Sequence, residues 1–471
     1  MKKSALVWIR RDLRLHDHAA LAAATQRAER VAVVFVFDTE ILKHLQDRDD
    51  RRLTFIHGCL KEVDEQLRAE GSRLIVLHGD PVEEIPRLAA QLQVEELHFN
   101  RDYEPYAIQR DALVTARVSA EVHHHKDTVV MEADEVRTGS GGPFKVYTPY
   151  GRAWRNTVRE RDLAERVVHP GHWWPAQDLG ATSSLPSLED LGFQPGNLFI
   201  TPGTQAGTSR LLQFGQRMAH YGERRNFPAE DGTSNLSPYF RHGALSIRQA
   251  FRYAATLPSE GSEKWQAELI WREFYQMILA EFPHVVRGAF KPEMDAVEWQ
   301  HQPDHLQAWI QGQTGYPIID AAMRCFRATG WMHNRLRMVV ASFLTKDLLI
   351  HWQEGESYFA RMLLDFDLAQ NNGGWQWAAS TGVDAQPYFR IFNPKLQSER
   401  FDPKGEFIRE WVPELTGLDG KSIHAPAESG PLELLAAGVT LGQNYPRPIV
   451  DHATQKPLAI QMLASIAPVK A

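Results

Sequence analysis

The chain has 471 residues, 43% of them hydrophobic and 24% charged, with a formal net charge of −7 and 13 tryptophans. That length exceeds one comfortable hydrophobic core and implies two or three domains, and a negative charge spread along the chain excludes a broadly basic nucleic-acid binder, so any DNA surface has to be a local patch. Cys59 and Cys325 are too few for a disulfide framework or zinc cluster and suit a reducing cytoplasm, no apolar run is long enough to span a bilayer, and the opening MKKSALVWIRRDLR lacks the apolar core of a secretory signal.

Residues 5 to 126 alternate short β-branched runs with amphipathic segments. Strands are predicted at Ala5 to Ile9, Val31 to Phe37, Leu74 to Leu77, Glu96 to Phe99 and Val122 to His125, and helices at His18 to Arg27, Asp50 to Glu70, Pro81 to Gln93 and Glu104 to Arg117. Alternation of this kind implies βαβ units and a parallel, Rossmann-like sheet covered on both faces. No G-x-G-x-x-G follows the first strand, so the dinucleotide fingerprint is missing, although the carboxyl ends of the strands remain the expected ligand edge. His123, His124 and His125 are consecutive, and alternate strand side chains point to opposite faces, so the three do not converge and no metal is assigned.

From Val130 to about Pro202 the periodicity lapses into a Gly- and Pro-rich connector, with FKVYTPYGRAW from Phe144 as its one ordered-looking piece. From Thr204 onward the helical period dominates, clearest at Ser209 to Tyr221, Ser246 to Thr256, Lys264 to Phe282, Pro317 to Ala328 and Asn334 to His351, which predicts an all-α domain. The expected division is therefore 1–129 as an α/β domain, 130–203 as connector and 204–471 as a helical domain. Nine of the 13 tryptophans fall after residue 260. The stretch Asn371 to Pro394, NNGGWQWAASTGVDAQPYFRIFNP, suits neither helix nor strand, since Gly pays backbone entropy and Asn prefers turns. An irregular segment is expected there, with Trp375 and Trp377 on different sides.

Five motifs in order, VWIRRDLRLHD from Val7, ELIWREFY from Glu268, TGWMHNRLRM from Thr329, the Asn371 stretch and FDPKGEFIREWVPEL from Phe401, resemble the signatures of the DNA photolyase and cryptochrome family over nearly the whole chain. The resemblance implies an antenna chromophore in the first domain, either methenyltetrahydrofolate or 8-hydroxy-5-deazaflavin, and FAD in the helical domain. It implies flavin contacts from Tyr221, from Thr233, Ser234, Asn235, Leu236 and Ser237, from Arg337, and from Asp365, Phe366, Asp367 and Asn371. The hydroxyl-rich turn at Thr233 to Ser237 equally reads as a helix cap or as a pyrophosphate cradle. Asn371 is implied to face the flavin N5. Asn at this position resembles photolyases, where plant cryptochromes tend to carry Asp and animal ones Cys.

Glu268 and Trp271 are i, i+3 and Asn334 and Met338 i, i+4, so each pair shares a helix face. By resemblance Trp271 and Trp377 wall a pocket for a flipped-out pyrimidine dimer and Glu268 and Asn334 bond the base edges, with Met338 beside them. Arg225, Arg272, Tyr275, Arg335, Arg390 and Gln397 complete the implied DNA contacts, the arginines as phosphate clamps. A single His333 before Asn334 resembles members specific for cyclobutane dimers rather than (6-4) photoproducts. Trp375, Trp352 and Trp299 match the family's electron-transfer chain. The expected activity is light-driven repair of cyclobutane dimers in UV-damaged DNA by a cytoplasmic monomer. The alternative is a cryptochrome-type blue-light receptor.

Overall fold

The computed structural model describes residues 3–180 and 184–466. Two compact units emerge, one of residues 1–219 with 234–283 and one of residues 220–233 with 284–471.

The first unit is built on five parallel strands, β1 (Ser4–Trp8), β2 (Arg30–Asp38), β3 (Leu74–Gly79), β4 (Glu96–Asn100) and β5 (Glu121–His125), in the order β3-β2-β1-β4-β5. All five expected strands are present within a residue or two. Strands β1, β2 and β4 are almost continuously buried, as strands covered on both faces must be, whereas the polar EVHHH of β5 forms an edge. The intervening helices are α1 (Ala19–Arg27), α2 (Arg51–Ala69), α3 (Pro81–Leu92) and α4 (Pro105–Arg117). Asp50 and Asp80 cap α2 and α3 through their carboxylates, and Pro81 and Pro105 open α3 and α4 with a preset φ.

The compact units do not follow the composition-based cut at residue 203, because buried ion pairs tie later helices to the sheet. Arg248 donates to Asp17 at 3.0 Å and to Asp127 at 2.7 Å, and Arg14 donates to Asp127 at 2.6 Å. Flanking arginines hold the Asp127 carboxyl far below the usual carboxylate range despite complete burial. The connector supplies α5 (Tyr147–Thr157), and the same unit contains the long helix α6 (Glu260–Glu281).

In the second unit α7 (Asn334–Lys346), α8 (Trp352–Met362), α9 (Leu368–Ala379) and α10 (Pro394–Phe401) pack with neighbouring helices. Their shared core includes Trp309, Phe326, Phe343, Trp352, Phe359 and Trp375. Among the described residues after Thr204, every regular element is a helix, as expected.

Three local expectations change. The helix expected at Ser209 to Tyr221 runs Thr204–Gly215, and Tyr221 opens the short helix Tyr221–Arg224 instead of ending one. Helix α7 stops at Lys346 rather than His351, because Leu349 adopts a left-handed φ of 57° and His351 caps the next helix. The Asn- and Gly-rich run from Asn371 is helical, not irregular. Asp367 caps α9 by accepting from Ala369 N at 3.1 Å, and its amides are used for buried bonds rather than for turns. Asn372 Nδ2 donates to Val285 O and Glu356 Oε1, both at 2.9 Å, and Gln376 Nε2 donates to Asn372 Oδ1 at 3.0 Å. These bonds offset the low helix propensity of Asn and Gly.

Candidate active site

In the first unit α6 carries Glu268, Trp271, Arg272 and Tyr275 on neighbouring turns. Trp271 lies flat against Tyr147 of α5, with ring centroids 3.6 Å apart and planes 10° from parallel, while Phe274 meets its edge. The stack fixes the indole orientation. Tyr147 in turn donates to Ala267 O at 2.8 Å, and burial pushes its hydroxyl up to about 12. Arg272 is anchored on Thr128 O at 2.7 Å. One turn inward, Glu273 accepts from Trp154 Nε1 at 2.6 Å and from the Val130 and Met131 amides, and burial raises its carboxyl to about 7 in spite of these donors. The connector and the helix bearing Trp271 are thereby locked together. Ser237 opens the short helix Ser237–Arg241, which has no side-chain cap, and Asn235 before it takes a left-handed φ of 51°.

In the second unit His333 caps the start of α7, its Nδ1 accepting from Arg335 N at 3.1 Å. Asn334 and Met338 share one face, with Asn334 Nδ2 4.0 Å from the Met338 sulfur. Arg335 Nη2 donates to Asn226 Oδ1 at 2.7 Å, and its guanidinium lies 4.3 Å over the Phe401 ring. Burial and the nearby Arg225 and Arg400 lower the Arg335 pKa, so like charges have been brought together at the cost of mutual repulsion. Burial, helped by Arg335, Arg337 and Arg225, lowers His333 to about 4 and keeps it neutral. A neutral ring beside three guanidiniums adds no further charge to what is already an anion-attracting surface. Arg400 belongs to this cluster and sequence reading missed it. Its only sequence signal is its position three residues after Gln397, in the last turn of α10.

The ion pair expected between Arg337 and Asp365 is present and two-pronged, with Arg337 Nη2 at 3.1 and 2.9 Å from the two carboxylate oxygens. Asn371 is buried on α9, where its Nδ2 donates to Glu356 O at 3.0 Å. Since a carbonyl can only accept, that bond assigns Nδ2 to Glu356 and leaves Oδ1 as the acceptor atom of the amide. Burial raises the Glu356 carboxyl to about 7, although its bond from Asn372 acts the other way. These groups fit a flavin: the Arg337 guanidinium held in place by Asp365, and the neutral Asn371 amide anchored on Glu356 O.

Trp375 and Trp352 are buried in the core of this unit and Trp299 is partly buried against it. Trp299 meets His351 edge-on at 5.6 Å and His351 stacks on Trp352 at 5.8 Å. Trp375 packs against Phe359 and Trp309, and Gly355 on α8 lets it do so, since a Cβ there would collide with the indole. Trp377 is two residues on and only partly buried, so the two indoles do point to different sides of α9. Arg390 is exposed on the loop after α9, and its carbonyl accepts from Lys346 Nζ at 3.3 Å. Gln397 lies on α10.

In the sheet, His123 and His124 do diverge, as strand alternation requires. His123 nevertheless finds partners on the adjacent strand, where it, His98 and Glu96 place one ligand-type atom each within 4.8 Å of the others.

A family model described as DNA photolyase matches residues 5–169, and one described as the FAD binding domain of DNA photolyase matches residues 265–465. A deoxyribodipyrimidine photo-lyase from Synechococcus sp. is 41% identical, covering 99% of this chain and 98% of its own. The chain belongs to the DNA photolyase family. Among solved structures of photolyase and cryptochrome proteins, a bacterial class III photolyase from Agrobacterium tumefaciens superposes with a TM-score of 0.91 at 33% identity, covering 99% of this chain and 98% of that one. A cryptochrome from Synechocystis sp. superposes with a TM-score of 0.89 at 27% identity, covering 99% of each. As a photolyase-family protein the chain carries an FAD-binding domain, and no helix among its described residues is long and apolar enough to cross a membrane.

Proposed function

We propose that this protein is a light-driven deoxyribodipyrimidine photo-lyase that splits cyclobutane pyrimidine dimers in UV-damaged DNA. The observation that carries the reading over a cryptochrome is Asn371: a neutral amide, oriented by Glu356 O, that offers an acceptor rather than the acid or thiol of photoreceptor relatives. When bound, reduced FAD supplies the photoexcited electron that opens the cyclobutane ring. The protein contributes placement and electrostatics. Arg337, paired with Asp365, and Asn371 hold the flavin side, joined by Tyr221, the Thr233 to Ser237 turn, Phe366 and Asp367. Trp271, braced by Tyr147, offers a ring face to a flipped dimer, and the family resemblance assigns a second face to Trp377 and the base edges to Glu268 and Asn334, with Met338 on the same helix face as Asn334. Arg225, Arg335 and Arg400 present a positive patch to phosphates, and Arg272, Tyr275, Arg390 and Gln397 are the further DNA contacts that the family resemblance implies.

In this reading residues 1–129 carry the antenna, a methenyltetrahydrofolate or 8-hydroxy-5-deazaflavin, 130–203 connect, and 204–471 bind FAD and DNA. The protein acts as a cytoplasmic monomer. The test is equilibrium binding in the dark to duplexes carrying a cyclobutane dimer, a (6-4) photoproduct or no lesion. The cyclobutane duplex should bind tightest. Trp271→Ala should erase that preference, a loss of roughly 1–3 kcal/mol per stacked base, while binding to undamaged DNA changes little. Equal affinity for all three duplexes would favour the receptor reading.

A further inference from the structure

The β4–β5 edge of the sheet carries a cluster of side chains that the repair reading does not use. Glu96 and His98 are alternate residues of β4, and His123 and His125 are alternate residues of β5. The parallel register sets His98 beside His123, so all four share the face on which α1 lies. Glu96 Oε2 is 2.9 Å from His98 Nε2 and 3.9 Å from His123 Nε2, distances that bracket the roughly 3.3 Å between ligand atoms of a tetrahedral zinc site. In the metal-free site the 2.9 Å contact to Glu96 places the proton on His98 Nε2, while His98 Nδ1 is 3.1 Å from His125 Nε2; moving the proton to Nδ1, where His125 accepts it, frees the Nε2 lone pair for a metal. A cation already occupies this seat. Arg27 Nε is 3.0 Å from Glu96 Oε2, and Arg27 Nη2 is 3.0 Å from Glu96 Oε1 and 3.3 Å from His123 Nε2. Lys3 Nζ stands 3.6 Å from the same carboxylate. Arg27 closes the last turn of α1 with its side chain 44% exposed, so it can swing into solvent.

We propose that Glu96, His98 and His123 form a binding site for a divalent first-row metal of the zinc class, which enters by displacing the Arg27 guanidinium. Three protein ligands leave the fourth tetrahedral position to water on the side that Arg27 vacates. The site needs neither the flavin nor the DNA surface.

The test is calorimetric titration of Zn2+ into the FAD-loaded full-length protein. One equivalent should bind saturably. His123→Ala should weaken it by roughly tenfold or more, the order seen when a metal site's supporting groups are removed. His124→Ala, on the opposite face of the same strand where it meets Phe99, should leave it unchanged. Arg27→Gln, which removes the competing cation at a half-exposed position while keeping an amide donor for Glu96, should tighten it, and this variant decides the matter if His123→Ala does not fold. No saturable binding, equal behaviour of His123→Ala and His124→Ala, or unchanged affinity in Arg27→Gln would overturn the proposal.

Discussion

Trp375 illustrates how one residue can serve packing and electron transfer at once. Its indole fills the space above Gly355 and meets Phe359 and Trp309, so the side chain is structural whatever else it does. Trp375→Phe keeps a ring in place and should cost well under the roughly 3–5 kcal/mol of truncating a buried aromatic to alanine. Phenylalanine is far harder to oxidise. The variant is therefore expected to lose blue-light reduction of oxidised FAD by an external reductant, while repairing dimers nearly normally once the flavin has been reduced with dithionite. Flavin absorbance followed by a repair assay reads both, and normal photoreduction would remove Trp375 from the electron path. The residue types of this site were readable from sequence, because Trp, Asn and Arg are costly choices that cluster there. Arg400 and Tyr147 were not, since each acquires its role only through a neighbour brought close by folding: Arg335 for the one, Trp271 for the other.

At the scale of elements, α9 departs furthest from the sequence expectation. Counting Gly and Asn as helix breakers is sound for an exposed helix, but Asn372 and Gln376 bond the Val285 carbonyl and Asp367 closes the amino end, and these tertiary bonds outweigh propensity. No local pattern announces a partner 87 residues away. The junction between α7 and the loop bearing Arg390 depends on another buried polar contact. Lys346 Nζ donates to Ser380 Oγ at 2.9 Å, and burial lowers its pKa from 10.5 to about 7, against the opposing pull of Asp347. Between about pH 7 and 10.5 the unfolded chain holds a proton on this lysine that the folded chain does not. Its contribution to stability is therefore greatest at high pH and is lost as pH falls toward 7. Lys346→Met should flatten the rise of unfolding free energy with pH across that window, measured by denaturant titration at several pH values. Identical slopes in the two proteins would show that Lys346 is not held in its neutral form.

Over the whole molecule, strand and helix alternation in the first part and helical period in the second were enough to give the architecture, because each depends on local periodicity. The compact boundary near Pro283 was not readable, since it depends on the buried Arg248, Asp17 and Asp127 contacts between distant segments. Charge shows the same contrast of scale. The chain is net negative, yet Arg225, Arg335 and Arg400 stand close enough to depress the Arg335 pKa. If these three neutralise phosphates, each single change to Ala should weaken damaged and undamaged DNA alike and reduce the log–log salt slope by about 0.9. An unchanged slope in all three would take the cluster off the DNA. The central claim, light-driven repair of cyclobutane dimers, is tested most directly by exposing the reduced, FAD-loaded protein and a thymine-dimer oligonucleotide to near-UV and blue light, with a matched sample kept in darkness, and quantifying intact dimer in each. The account predicts multiple-turnover loss of the dimer in the light, none in the dark, and no loss of a (6-4) photoproduct. Dimer loss equal in light and darkness, or none in either, would contradict it.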